Sequence, residues 1–207
     1  MFIEKIRKSF KVGETIFAKE ILQLFPEFTK TYVYRLLKES IDNEQLIKFS
    51  RGIYCIPKKT SFGYSSLSSN AVASQKYISD GNMVYGLYSG LTLLNNFAIS
   101  AQVPNVIEIV TNNEATRKRT IEINGVKFIL RKSRFPITKD NYNYYTVLQI
   151  FQELGTNTKI NSFSKQQIKD YIKKNSLEEK ELIRLAMRFP AQTLKNLIVS
   201  EVINGIL

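Results

Sequence analysis

Ile3, Ile6 and Phe10 recur three and four positions apart, so residues 2 to 10 are expected to form an amphipathic helix that Gly13 ends. Phe17, Ile21, Leu22 and Leu24 make a second apolar stripe of helical period, closed by Phe25-Pro26 because proline has no N–H to extend the ladder. Thr29 stands where an N-cap belongs. The helix it opens, Lys30 to about Ile41, turns Val33, Leu36, Leu37 and Ser40 inward and Lys30, Thr31, Tyr34, Arg35 and Lys38 outward. The period then changes from helical to extended. Leu46 to Phe49 and Ile53 to Ile56 are strand-like runs about the tip Ser50-Arg51-Gly52, where glycine accepts the positive φ of a tight turn. Tyr54 and Ile56 are expected to pack this hairpin on the helices.

Phe62 to Asn70 is small and polar and reads as a linker, which divides the chain into residues 1–59 and 60–207. A helix around Ala71 to Ser79, a short strand at Val84 to Gly86 and a helix from Ser89 to Phe97 capped by Ser89 are expected next. Val103 to Asn112 alternates as a strand, and Thr120 to Ile123 and Val126 to Leu130 flank Asn124-Gly125, a strong hairpin signal. The remainder has helical period. Tyr144 to Leu154 ends at Gly155, and Ser164-x-x-Gln167 and Ser176-x-x-Glu179 read as capping boxes. The helices they open bury Ile168, Tyr171 and Ile172, then Leu182, Leu185 and Phe189; after Pro190, Leu194, Leu197, Ile198 and Val202 line a last helix.

Charge gives this pattern a direction. Thirty Lys and Arg against eighteen Asp and Glu leave a net +12, spread along the whole chain, a field that draws phosphate polyanions. With no His and one Cys, the usual zinc sites and every His-based catalytic triad are excluded. The acidic residues are scattered, and no Gly-x-x-x-x-Gly-Lys loop occurs, so neither an enzyme nor a bound cofactor or metal is expected. Cys55 falls in an expected buried strand, where a free thiol serves as a small hydrophobe. Met1 to Arg7 lacks the apolar core of a secretory signal, and no later run reaches the roughly 18 apolar residues of a membrane span, so a cytoplasmic location is expected.

Two short helices, the second basic on its free face, followed by a hairpin with a basic tip, describe a winged helix-turn-helix. A basic helix face alone is most often the ordinary solvated side of a helix; the hairpin is what separates this one. The start of the Lys30 helix would enter the major groove, with Arg35, the first candidate for base contact, reaching a guanine edge or a phosphate, Lys30 and Lys38 phosphates, and Thr31 or Tyr34 a base or sugar. Lys48, Ser50, Arg51 and Lys58 would lie along the flanking backbone. A candidate second basic surface is made of Arg117, Lys118 and Arg119 with Arg131, Lys132 and Arg134, at the ends of one hairpin, and of Lys180, Arg184 and Arg188, four residues apart on a helix. The fold class is therefore α+β: an N-terminal winged helix-turn-helix, then a C-terminal α/β domain with a small, mostly antiparallel sheet and a helical C-terminus.

Phe17-Ala18, the basic third helix, Leu46-Ile47 and Arg51-Gly52-Ile53-Tyr54, in that order, resemble the N-terminal module of AbiEi-type antitoxins of type IV toxin–antitoxin systems. The helix Ser89-Gly90-Leu91-Thr92-Leu93-Leu94, then Gln102-Val103-Pro104 and Val106 to Thr111, is similar to that family's central region and extends the resemblance to about residue 135. The chain departs from many relatives in having no His near that helix. The resemblance implies a non-enzymatic autorepressor that binds inverted repeats of double-stranded promoter DNA; with no dimerisation heptad in the sequence, a monomer with two copies on DNA is expected. It also implies an antitoxin that counteracts a nucleotidyltransferase-like toxin without a stable complex. Two alternatives stay open: a stand-alone winged-helix regulator with a ligand-sensing or dimerising C-terminal domain, and an RNA-processing enzyme or RNA chaperone using the basic surface.

Overall fold

The computed structural model describes residues 2–60, 63–65, 67–156 and 160–203. The chain is mixed α and β and divides into two compact units, Met1–Ala73 with Ile123–Gly125, and Ser74–Glu122 with Val126–Leu207.

The first unit opens with α1 (Phe2–Ser9), whose Ile6 is fully buried. Phe17 does not continue a helical stripe as its spacing suggests. Ile16–Phe17 form a short strand, β1, and the Phe17 N–H donates to the Glu20 carboxylate at 2.7 Å, which satisfies a free donor at the start of α2 (Ala18–Leu24). Helix α3 (Lys30–Asp42) follows, with Val33, Leu37 and Ser40 buried as expected and Leu36 half-buried. Then come β2 (Ile47–Ser50) and β3 (Ile53–Cys55), and the sheet order is β1-β3-β2, both pairs antiparallel. Ile6, Ile16, Ile21, Val33, Leu37, Leu46, Tyr54 and Ile56 make one apolar core, so Tyr54 and Ile56 do pack the hairpin on the helices.

The segment expected as a linker is more ordered than its composition suggests. Lys58–Thr60 (β4) pairs antiparallel with Gly63–Ser65 (β5); Phe62 and Ser66 of that segment lie outside the described residues. Helix α4 (Ser69–Tyr77) then spans the division between the two units.

In the second unit β6 (Gly86–Ser89) precedes α5 (Gly90–Asn96), and β7 (Ile107–Thr111), β8 (Lys118–Ile123) and β9 (Val126–Lys132) complete a sheet of order β6-β7-β9-β8. β6 and β7 run antiparallel, whereas β7 and β9 run parallel from Ile107 opposite Phe128 to Thr111 opposite Lys132. Asn124 and Gly125 both take positive φ, 46° and 80°, the backbone a two-residue hairpin requires. Behind the sheet, α6 (Tyr142–Glu153) is buried on nearly every side, with Tyr145, Val147, Leu148, Ile150 and Phe151 at zero exposure. Helices α7 (Ser162–Lys174), α8 (Glu179–Ala186) and α9 (Ala191–Val199) complete the core around it.

Several expected caps are corrected. Ser89 holds the N-cap position of α5 but makes no side-chain cap; its hydroxyl donates to Glu153 at 3.3 Å. Asn161, not Ser164, caps α7 by accepting from the Ser164 N–H at 2.7 Å, while the buried Ser164 hydroxyl donates to the Ala98 carbonyl at 2.7 Å. Ser176 takes a positive φ of 52° and Glu178 precedes α8. Ile198 on α9 is exposed, Leu197 on that helix is buried, and the buried Val202 lies past its end. Among the described residues no helix is long and apolar enough to cross a membrane.

Candidate nucleic-acid interface

Thr29 accepts from the Tyr32 N–H at 3.3 Å and so starts α3, and its buried side fixes which residues face out. Lys30, Thr31, Tyr34, Arg35 and Lys38 are all exposed on the opposite side. Arg35 is not a bare charge. Its Nε lies 3.6 Å from Glu39 one turn on, and its guanidinium carbon lies 4.7 Å over the Tyr32 ring. An exposed i,i+4 pair of this kind is worth roughly 0.3–0.5 kcal/mol, too little to withhold Arg35 from a stronger anionic partner.

Tyr32 is absent from the sequence expectation, although it anchors a column of rings at the start of α3. Phe2 lies 4.6 Å from Phe25, Phe25 stacks on Phe28 at 5.8 Å, and Phe28 meets Tyr32 edge-on at 5.0 Å. Lys5 holds its ammonium 4.7 Å over the Phe25 ring. The spacing of Phe25, Phe28 and Tyr32 was the available signal, masked by the role of Phe25-Pro26 as a helix stop.

The hairpin carries the next group. Lys48 is exposed opposite Tyr54, the register shifts between Lys48 and Ser50, and Ser50, half-buried, pairs with Ile53. Arg51 is exposed at the turn, and Gly52 takes φ 73°. Burial pushes the Tyr54 phenol up, and Tyr34 on α3 is near enough to push it the same way. Tyr54 therefore stays neutral within the apolar core beneath the hairpin. Lys58 is exposed but belongs to β4, in a separate two-stranded sheet, not to the hairpin expected to carry it.

The candidate second basic surface is brought together only in part. Arg117, Arg131, Lys132 and Arg134 line one cavity of about 520 Å³; Lys118 and Arg119 do not line it. Arg119 instead binds the buried Glu114 at 2.8 Å, and Arg131 binds Glu108 at 2.7 Å. The stripe expected on α8 is broken as well. Arg184 donates to Glu181 at 2.6 Å, and Arg188 lies past the end of α8 with its guanidinium 5.2 Å over Phe135. Lys180 is exposed on α8. Among the described residues no group of three or more His, Cys, Asp and Glu is placed to hold a metal ion. Cys55 is a buried free thiol whose pKa burial raises.

The chain belongs to the DUF6088 family, described as a family of unknown function, whose model it matches over residues 2–182, from the start of α1 into α8. No curated protein matches it.

Proposed function

We propose that the first unit is a winged helix-turn-helix that binds double-stranded promoter DNA, with α3 as the reading helix and the β2–β3 hairpin as the wing. What carries the reading is the convergence of two exposed basic elements on one core: the Lys30, Arg35 and Lys38 face of α3, and the hairpin bearing Lys48 and Arg51. In this reading Arg35 contacts a base edge, Thr31 and Tyr34 a base or sugar, and Lys30, Lys38, Lys48, Ser50 and Arg51 the phosphates. Lys58 is left at the margin by its place on β4. Nuclease footprinting of the DNA upstream of the gene tests it: protection of an inverted repeat supports autoregulation, and uniform cleavage removes it.

The wider proposal, from the resemblance to AbiEi-type proteins, is an antitoxin that represses its own operon and counteracts a nucleotidyltransferase-like toxin without a stable complex. Co-expression with such a toxin from the adjacent reading frame is the test. Restored growth supports the proposal, and continued arrest with the antitoxin folded and abundant contradicts it.

One observation favours a second reading, a regulator whose second unit senses a ligand. A cavity of about 390 Å³ is walled by Leu87, Leu93 and Phe97 and bears Tyr88, Tyr142 and Tyr171, the mixed lining of a small-molecule site. Burial, the largest influence on it, drives the Tyr171 phenol up to about 12, and its hydroxyl donates to Asn143 at 2.6 Å. That reading requires DNA affinity to change on adding the small-molecule fraction of a cell extract.

A further inference from the structure

The cavity beside β9 is built differently. Of its lining residues Arg117, Arg131, Lys132 and Arg134 are cationic and none is a carboxylate. Glu108 neutralises Arg131 from outside the lining. Arg117, Lys132 and Arg134 have no carboxylate partner among the described residues; Arg134 donates its Nε to Gln152 at 2.8 Å and lays its guanidinium 5.6 Å over the Phe189 ring, contacts that leave its positive charge without a counter-charge.

The frame that holds these charges is fixed. The Asn112 side chain accepts from Ser133 Oγ at 2.8 Å and from the Ile137 N–H at 2.9 Å, and donates to the Ile137 carbonyl at 2.7 Å. The Arg134 N–H donates to the hydroxyl of the fully buried Tyr145 at 2.9 Å. Residues 133–137 are thereby tied to the end of β7 and to α6. Holding like charges together without counter-charge is unfavourable, and a concave, low-dielectric wall focuses their field on whatever anion enters.

We propose that this cavity binds a phosphoryl group carrying two or more negative charges, as a free nucleotide or the end of a nucleic-acid strand presents it, through Arg117, Lys132 and Arg134. A lone carboxylate matches one of three uncompensated cations, whereas a phosphate dianion or pyrophosphate matches two or more and accepts the forked donors of arginine. The volume lies within the roughly 300–1,000 Å³ of small-ligand sites, and its concave shape suits a terminal phosphate rather than the side of a duplex. The site lies wholly in the second unit and is independent of the DNA-binding proposal.

The test is calorimetric titration of the full chain with pyrophosphate at fixed ionic strength. The wild type and a Lys48→Gln/Arg51→Gln control are expected to show the same saturable single-site binding. An Arg117→Gln/Lys132→Gln variant, altered only at exposed side chains and checked by its melting curve, is expected to bind roughly tenfold or more weakly. Lys132→Arg is expected to retain binding. Absence of saturable binding in the wild type, or binding by the double variant equal to wild type, overturns the proposal. Competition then assigns the source. Displacement of pyrophosphate by a nucleoside triphosphate but not by a 5′-triphosphorylated RNA strand supports a free nucleotide. Displacement by both supports a strand end, and displacement by neither overturns the proposal.

Discussion

The N–H of Ala18, the first residue of α2, donates a 2.9 Å hydrogen bond to the carbonyl of Gly52 in the hairpin turn. The bond ties the turn next to Arg51 to the start of a core helix and satisfies one of that helix's free donors. It depends on the φ of 73° at Gly52, which any other residue adopts at a cost.

Gly52→Ala is accordingly expected to destabilise the first unit by about 1–2 kcal/mol, from backbone strain alone. A Cβ there would meet only Ala18 Cβ, at an ordinary 3.8 Å. Urea unfolding measures the loss. An unchanged midpoint would mean the turn relaxes and the Ala18 bond is not holding it.

Gly86 is constrained by space. A Cβ on it would come within 2.0 Å of the Tyr77 carbonyl oxygen and 2.8 Å of the Val110 carbonyl oxygen, both backbone atoms that cannot rotate away. Gly86→Ala is expected to break the start of the β6–β7 pairing and cost about 3 kcal/mol or more. Thermal melting of the variant, beside Gly125→Ala, where the added Cβ meets nothing within 4 Å, separates this clash from simple φ strain.

Glu114 supplies a pH dependence. Burial pushes its carboxyl up, but the N–H and hydroxyl of Thr116, at 3.0 and 2.8 Å, and the Arg119 guanidinium outweigh burial and hold it below the ordinary carboxylate value of 4.5. A carboxyl depressed in the folded state adds stability that is fully present above the unfolded value and is lost as pH falls through the folded one. Stability of the second unit is therefore expected to decline below about pH 4.5, and Glu114→Gln to flatten that decline. Glu114→Ala, which strands Thr116 and Arg119 without an acceptor, is expected to cost about 1–3 kcal/mol at neutral pH. Denaturation midpoints across acid pH check both.

Glu39 restrains the proposed reading helix. Removing its charge frees Arg35 and removes a repulsion toward phosphate, so Glu39→Gln is expected to tighten DNA binding roughly two- to tenfold at low salt. Unchanged or weaker binding would take α3 off the DNA.

Local chemistry was the readable part of this chain. Asn124-Gly125, Gly52 and, in the inward set Val33, Leu36, Leu37 and Ser40, all but the half-buried Leu36 follow from one turn or one period and stand in the structure as read. Phe17 was misread because an apolar residue four before Ile21 fits a helical stripe as well as it fits β1, whose partner Ile53 is remote in sequence. Ser164 was misread as a cap because its real acceptor, the carbonyl of Ala98, is supplied by tertiary packing. The parallel β7–β9 pairing left no local mark for the same reason. In the basic clusters the sequence showed charges, and the carboxylates that silence Arg119 and Arg131, Glu114 and Glu108, only the fold could assign. What remained uncompensated, Arg117, Lys132 and Arg134, is smaller and more specific than the surface the sequence suggested.

Fluorescence anisotropy tests the central claim most directly: wild type and Arg35→Ala are titrated against the duplex upstream of the gene and against a scrambled duplex of equal length, over a range of salt. The wild type is expected to prefer the native duplex by about 10³ or more, with affinity falling steeply as salt rises. Arg35→Ala is expected to lose about 1–3 kcal/mol on the native site and little on the scrambled one. Equal, weak binding of both duplexes by both proteins would contradict sequence-specific DNA recognition through α3.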